Sequence, residues 1–159
     1  GPLFFVQKRN GLNSHEFDCY KFRSMNLNPK AHIEQVSKND PRITRVGRFL
    51  RKTCIDELPQ FINVFLGQMS VVGPRPHMVS HTEMYAQRVN KFMVRHFVKP
   101  GITGLAQTKG YRGEVEKETD IINRVKYDIF YMENWSILLD IKIIFITIFN
   151  TIKGEDKAY

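Results

Sequence analysis

Pro59 is the residue that most narrows what this chain can fold into. It sits in the stretch PRITRVGRFLRKTCIDELPQFINVFLGQMSVVGPRP, residues 41–76, which opens on a run of regularly spaced arginines. Proline is tolerated in the first turn of a helix, where its missing N–H would have no partner, and breaks a helix further in. The apolar positions Leu58, Phe61, Ile62, Phe65 and Leu66 predict a helix over 57–68, so that helix has to begin just upstream of Pro59. Its start then coincides with an acidic pair, Asp56 and Glu57. Two uses of that pair follow. Thr53 could cap the helix with Asp56 three residues on, as in a capping box, while Glu57 complements the helix dipole. Alternatively, a helix start with its free N–H groups seats a phosphate, and an ionised carboxylate facing an arginine-held phosphoryl group is a competent nucleophile. The residues alone leave both open.

Cations flank the pair on both sides. Arg42, Arg45, Arg48 and Arg51 recur every three residues and Lys52 follows. On a helix that spacing advances by about 300° per step, giving a slowly drifting basic stripe beside Ile43, Val46, Phe49 and Leu50. Such a stripe is either a solvated face or a surface lying against phosphates or anionic headgroups. Downstream, Pro74 and Pro76 hold the backbone around Arg75 extended. A planar, permanently charged fork on a stiff loop suits oxyanion binding.

Composition is consistent with that chemistry. A chain of 159 residues fits one compact domain, and 42% apolar with 25% charged residues excludes global disorder. Lys plus Arg number 24 against 16 acidic residues, a net charge of +8. That favours anionic partners: nucleic acid, an anionic membrane surface or phosphorylated substrates. A basic membrane- or nucleic-acid-binding module without catalysis is the reading from another class, although no nucleic-acid fold signature is present. Cys19 and Cys54 lack metal-ligand spacing and fit free thiols in a reducing compartment. The start at Gly1 without Met predicts residues missing upstream.

The rest of the chain gives a coarse secondary structure. LFFVQKR and HEFDCYKFRSM, separated by turn formers, read as a β-hairpin whose second arm carries Lys21 and Arg23 on one face. Residues 26–40 read as a polar loop with room for a short helix. His77 and His81 stand four apart but have no third ligand in view. Residues 83–97 read as an amphipathic helix, and 101–113 as a glycine-rich basic loop carrying Gln107, Lys109 and Arg112. Residues 114–133 predict a charged helix with Tyr127, Asp128 and Tyr131 near its end. The last segment, NWSILLDIKIIFITIFNTIKG, puts Ser136, Asp140, Thr147 and Thr151 on one narrow stripe and apolar groups nearly everywhere else. It is too short in charge-free residues to reach the ~20 of a spanning helix, so it is a core helix or one lying in the membrane interface, toward which Trp135, Lys142 and Lys153 lean.

With those residues in view, the chain closely resembles the bacterial sugar transferase family, the monotopic polyprenyl-phosphate phosphosugar transferases. GPLFFVQKR, YKFRSM, the stretch from Asp40 to Pro76, VKPGITGLAQ, YDIFYMENWSILLDIKI and the terminal KAY carry the resemblance, in the family's order. It implies an α+β fold, mostly helical, with an N-terminal β-hairpin and amphipathic membrane-interface helices. One catalytic domain would cover 1–159, lacking the re-entrant membrane helix that precedes it in the family. It implies transfer of a sugar 1-phosphate from a nucleotide diphosphate sugar, usually UDP-linked, to polyprenyl phosphate at the cytoplasmic face of the bacterial inner membrane. By the same resemblance Asp56 is the nucleophile and Glu57 its dyad partner, as a ligand of Mg²⁺ or as a base. Arg51, Arg75 and Lys21 would hold phosphate oxygens, and Asp128 would help place metal or substrate.

Overall fold

A computed structural model describes residues 1–27, 36, 40–113, 115 and 117–153. The polar loop expected over 26–40 and the terminal KAY therefore lie largely outside the described residues. The fold is α+β, as expected: the described residues form an N-terminal hairpin, a short parallel strand pair and six α-helices with 3-10 turns between them.

Strands β1 (Phe4–Asn10) and β2 (Glu16–Phe22) pair antiparallel, from Phe4 opposite Phe22 to Asn10 opposite Glu16. Alternation along β2 sends Phe17 and Cys19 into the core with Met69. Lys21 continues that inward row, so its ammonium lies under the hairpin and not on a solvated strand face. Helix α1 (Arg45–Lys52) starts at Thr44, whose side chain accepts from the Gly47 N–H. It packs so closely on the segment after β2 that a Cβ on Gly47 would lie 1.8 Å from the Ser24 carbonyl oxygen.

The helix predicted over 57–68 is shorter and differently bounded. Cys54 adopts a left-handed conformation (φ 58°), a 3-10 turn covers Ile55–Glu57, and Pro59 stands at the N-cap of α2 (Gln60–Phe65). Thr53 does not cap it. Its hydroxyl donates back to the Phe49 carbonyl at 2.9 Å, closing α1, and no side chain caps the Asp56 turn. The capping use of Asp56 is thereby removed. α2 also faces the other way from a core helix. Asn63, fully buried, donates to the Asp18 carbonyl and the Gln68 side chain at 2.7 Å each and accepts from the Tyr20 N–H, which ties the helix to β2. Leu58, Phe61, Ile62, Phe65 and Leu66 point outward, Phe65 being 93% exposed.

Strands β3 (Ser70–Val72) and β4 (Gly101–Thr103) pair parallel, and a Cβ on Gly101 would lie 2.1 Å from the Gly73 nitrogen. That close approach seats the loop carrying Arg75 against β4. The helix predicted over 83–97 is broken: α3 (Val79–Arg88) stops at Val89, Lys91 turns left-handed (φ 61°), and Phe92–Phe97 forms a 3-10 segment. The break brings Tyr85, Val89 and Phe92 together against Ile121 and Val125. The glycine-rich loop holds β4 and the short α4 (Leu105–Thr108).

Helix α5 (Glu118–Glu133) contributes Tyr131 to a second cluster with Val72, Leu105 and Ile143. Helix α6 (Ile137–Lys153) uses its polar stripe inward. Asp140 accepts from the Tyr131 hydroxyl at 2.8 Å and from Trp135 Nε1 at 3.1 Å, and Thr147 meets Thr103 at 2.6 Å. Ile143 is its one fully buried apolar residue, while Leu138, Phe145, Phe149 and Ile152 face outward. Among the described residues no helix is long and apolar enough to cross a membrane.

Candidate active site

Glu57 is the centre of the site. Its carboxylate is buried, and three cations from three separate segments converge on it. Lys21 Nζ of β2 is 2.7 Å and Arg75 NH2 2.6 Å from Oε1, while Arg112 NH2 is 2.8 Å from Oε2. Burial alone would raise this carboxyl's pKa, but the charges of Arg75, Lys21 and Arg112 outweigh it and hold the group well below the usual carboxylate range. Arg112 also donates from NH1 to Cys54 Sγ at 2.9 Å, and Arg75 NH1 lies 3.4 Å from Gln107 Oε1.

Asp56, one residue before, has the opposite environment. It is buried too, yet it makes no hydrogen bond or ion pair with any described residue. Burial pushes its pKa up, aided by the charge of Glu57 and opposed by Lys21, Arg51 and Arg112 nearby. The left-handed turn at Cys54 and the 3-10 turn after it present the two adjacent side chains to these different surroundings. Two carboxylates with pKa values driven apart is the pattern of a site with divided roles.

Arg51 approaches from α1. Its Nε donates to Ser24 Oγ at 2.8 Å, and its charge is felt by both carboxylates. The arginine stripe therefore divides: Arg51 turns to the site, Arg42 pairs with Asp40 at 2.5 Å, and Arg45 and Arg48 are exposed. Asp128 is not brought to the carboxylate pair. It is buried on α5 and ion-paired with Arg95 at 2.8 Å. His77 is buried with its pKa well below the ordinary value, through burial and the charges of Arg95 and Arg124, and no group of three or more His, Cys, Asp and Glu suited to a metal occurs among the described residues.

Arg112 and Gln107 are the site residues that reasoning from the sequence had not singled out for chemistry. Both lie in the glycine-rich loop, where no periodicity marks one basic residue over another. Only the contact across the fold with Glu57 identifies Arg112. Beside the clamp a cleft opens between α2 and α6, lined by Glu57, Leu58, Phe61, Gln107, Arg112 and Thr147 among others. Its lining combines the charged Glu57 and Arg112 with the apolar Leu58, Phe61 and Ile102 and the polar Thr147, Asn150 and Thr151.

A fixed carboxylate under three cations, with a free one and a cleft beside it, is suited to anionic phosphate chemistry. Comparison with known proteins agrees. The family model described as bacterial sugar transferase matches residues 1–154. A protein of Klebsiella pneumoniae named UDP-glucose:undecaprenyl-phosphate glucose-1-phosphate transferase is 53% identical over 150 residues, covering 94% of this chain and 32% of its own length. Proteins of the same name from Escherichia coli K12 (51% identical, 94% of this chain, 32% of theirs) and Xanthomonas campestris (48%, 100% and 33%) are similar. The chain thus spans about a third of the length of these relatives. It belongs to the bacterial sugar transferase family.

Proposed function

We propose that this chain is the catalytic part of an enzyme that transfers a sugar 1-phosphate from a UDP-sugar to undecaprenyl phosphate through a covalent intermediate on Asp56. The names of its relatives support the reaction class. The observation that carries the residue assignment is that Asp56 stands unpaired beside Glu57, whose charge is already satisfied by Lys21, Arg75 and Arg112.

In this reading the diphosphate of the donor draws on the same cations. Arg75, Arg112, Lys21 and Arg51 neutralise its oxygens and the charge that develops at phosphorus. An ionised Asp56 oxygen attacks the sugar-side phosphorus, a P–O bond to the carboxylate forms, and the bond to the departing UMP oxygen breaks with its electron pair. A phosphate oxygen of undecaprenyl phosphate then attacks the same phosphorus, the bond to Asp56 breaks, and the carboxylate is restored. One difficult displacement becomes two. Glu57, held ionised, is a weak base; its part is to keep three flexible cations in place between turnovers.

Mg²⁺ is held in such sites by one or two carboxylates together with substrate phosphate oxygens. Of the pair, Asp56 has the oxygens to offer such an ion, since both oxygens of Glu57, the ligand that the resemblance implies, are taken by Lys21, Arg75 and Arg112. When bound, the ion would supply further neutralisation of the diphosphate.

The outward apolar faces of α2 and α6 support a seat on the membrane surface, on the cytoplasmic side where sugar nucleotides occur. There the prenyl carrier would reach the cleft from the lipid while the donor arrives from water. The test is exchange of labelled UMP into the UDP-sugar without lipid acceptor. Asp56→Asn should abolish exchange while the protein stays folded; exchange retained by that variant would overturn the assignment.

A further inference from the structure

Arg75 and Arg112 reach Glu57 from loops, so their precision has to come from elsewhere. The prolines flanking Arg75 have no N–H, and that loop is tied mainly through its carbonyls. All three carbonyls are taken. Gly101 N donates to Pro74 O at 2.9 Å, Arg95 NH2 to Arg75 O at 2.7 Å, and Arg9 NH1 to Pro76 O at 3.2 Å. The second loop is gripped in the same way. Arg124 NH2 donates to the carbonyl of Gly113, the residue after Arg112, at 2.9 Å.

Arg95 and Arg124 are both buried, and their charges need compensation. Asp128 supplies it for both. It lies one helical turn after Arg124 on α5, is 2.8 Å from Arg95, and feels the charges of both arginines. At 2% exposure it offers no surface to a ligand. The arrangement is not a well-satisfied stability element either: Arg95 Nε and NH1 and Arg124 Nε have no hydrogen-bond partner among the described residues. Buried charges of this kind stabilise a fold little compared with apolar residues of the same size. What the trio does connect is one carboxylate on α5 to the backbones on either side of the clamp.

We infer that Asp128, Arg95 and Arg124 form a buried frame that sets Arg75 and Arg112 against Glu57. All three are positioning residues, acting on phosphoryl transfer only through the two arginines they place. The inference rests on reading the Glu57 cluster as the transferase site, although its structural half stands apart from that reading.

Arg95→Met is the informative variant. It removes the donor to the Arg75 carbonyl and the ion-pair partner of Asp128, which then has only the nearby charge of Arg124 to oppose its own. In the full-length natural polypeptide, hydrogen exchange at the amides of Arg75, His77 and Met78 should quicken while α5 stays protected. The donor kcat/KM should fall about 10- to 100-fold, as expected for a misplaced binding group. In an Arg75→Ala background the same substitution should cost less than about twofold, because the residue it acts through is gone. Arg95→Lys should recover part of the loss. Asp128→Asn should quicken exchange at Arg112 and Gly113 as well as at Arg75. Equal losses in both backgrounds, or unchanged exchange at Arg75, would overturn the frame. If Arg95→Met does not fold, Arg95→Lys carries the same comparison. A parent protein without any transfer activity would refute the proposed function, and the exchange pattern would still decide the frame.

Discussion

Asp56 and Glu57 are neighbours in sequence and opposites in chemistry. Glu57 gives its two oxygens to Lys21, Arg75 and Arg112; Asp56 gives its own to no described residue. The consequence is measurable as a pH dependence. Burial holds the Asp56 pKa above its ordinary 3.8, so the acid limb of donor kcat/KM, which reports groups of the free enzyme, should titrate above that value. Lys21 opposes the shift, and Lys21→Met should therefore move the limb further upward. A limb at or below 3.8, or one that ignores Lys21, would contradict the assignment. Stability should respond with opposite signs at the two residues. The depressed Glu57 contributes stability that is present above its unfolded value and lost as pH falls through its folded one. Glu57→Gln strands three cations, costs about 3–5 kcal/mol in denaturant unfolding near neutral pH, and flattens the acid slope. For Asp56 the ionised form is the one the fold disfavours, so Asp56→Asn should raise Tm at neutral pH while removing activity. A lowered Tm would argue that Asp56 is structural.

Helices α2 and α6 are built inside out. Asn63 and the Asp140–Thr147 stripe make the inward contacts, while Phe65, Leu138 and Ile152 are 93%, 78% and 81% exposed. An apolar surface of this extent marks an interaction face. Phe65→Glu combined with Leu138→Glu should cut co-sedimentation with anionic vesicles severalfold and change unfolding stability by less than about 0.5 kcal/mol, since both side chains lie outside the core. Unchanged vesicle binding would remove α2 and α6 as the membrane face. The polar stripe of α6 was legible from spacing alone, because Ser136, Asp140, Thr147 and Thr151 recur at helical intervals. Its direction was not, since periodicity marks two faces without saying which is wet. The same limit applies to α2, where Pro59 placed the helix start but Asn63, not the leucines and phenylalanines, makes the dock. The break between α3 and the 3-10 segment at Phe92 was hidden for a different reason. Lys91 in a left-handed conformation has no sequence mark comparable to glycine, and core packing of Phe92 on Tyr85 decides it.

Over the whole molecule, function concentrates where segments distant in sequence meet. The hairpin brings Lys21, the proline-flanked loop Arg75 and the glycine-rich loop Arg112, all to a carboxylate set by the turn at Cys54. The family resemblance gave Arg51, Asp56, Glu57 and Arg75 their expected roles, and local pattern drew attention to them because they share one stretch. It gave Arg112 no distinction because that contact exists only across the fold. Family resemblance named Asp128, and the structure gives it a place behind the site, beneath Arg95. The net charge of +8 is accordingly uneven in use: some cations face solvent, and others are partly buried around the carboxylate pair. The most direct test of this account is to incubate the protein with UDP-sugar labelled in the sugar-side phosphate and no lipid acceptor, quench it, and map the label by peptide mass spectrometry. The account predicts one phosphosugar on Asp56, discharged when undecaprenyl phosphate is added. Label on another residue, or rapid formation of lipid product with no labelled protein at any time, would contradict it.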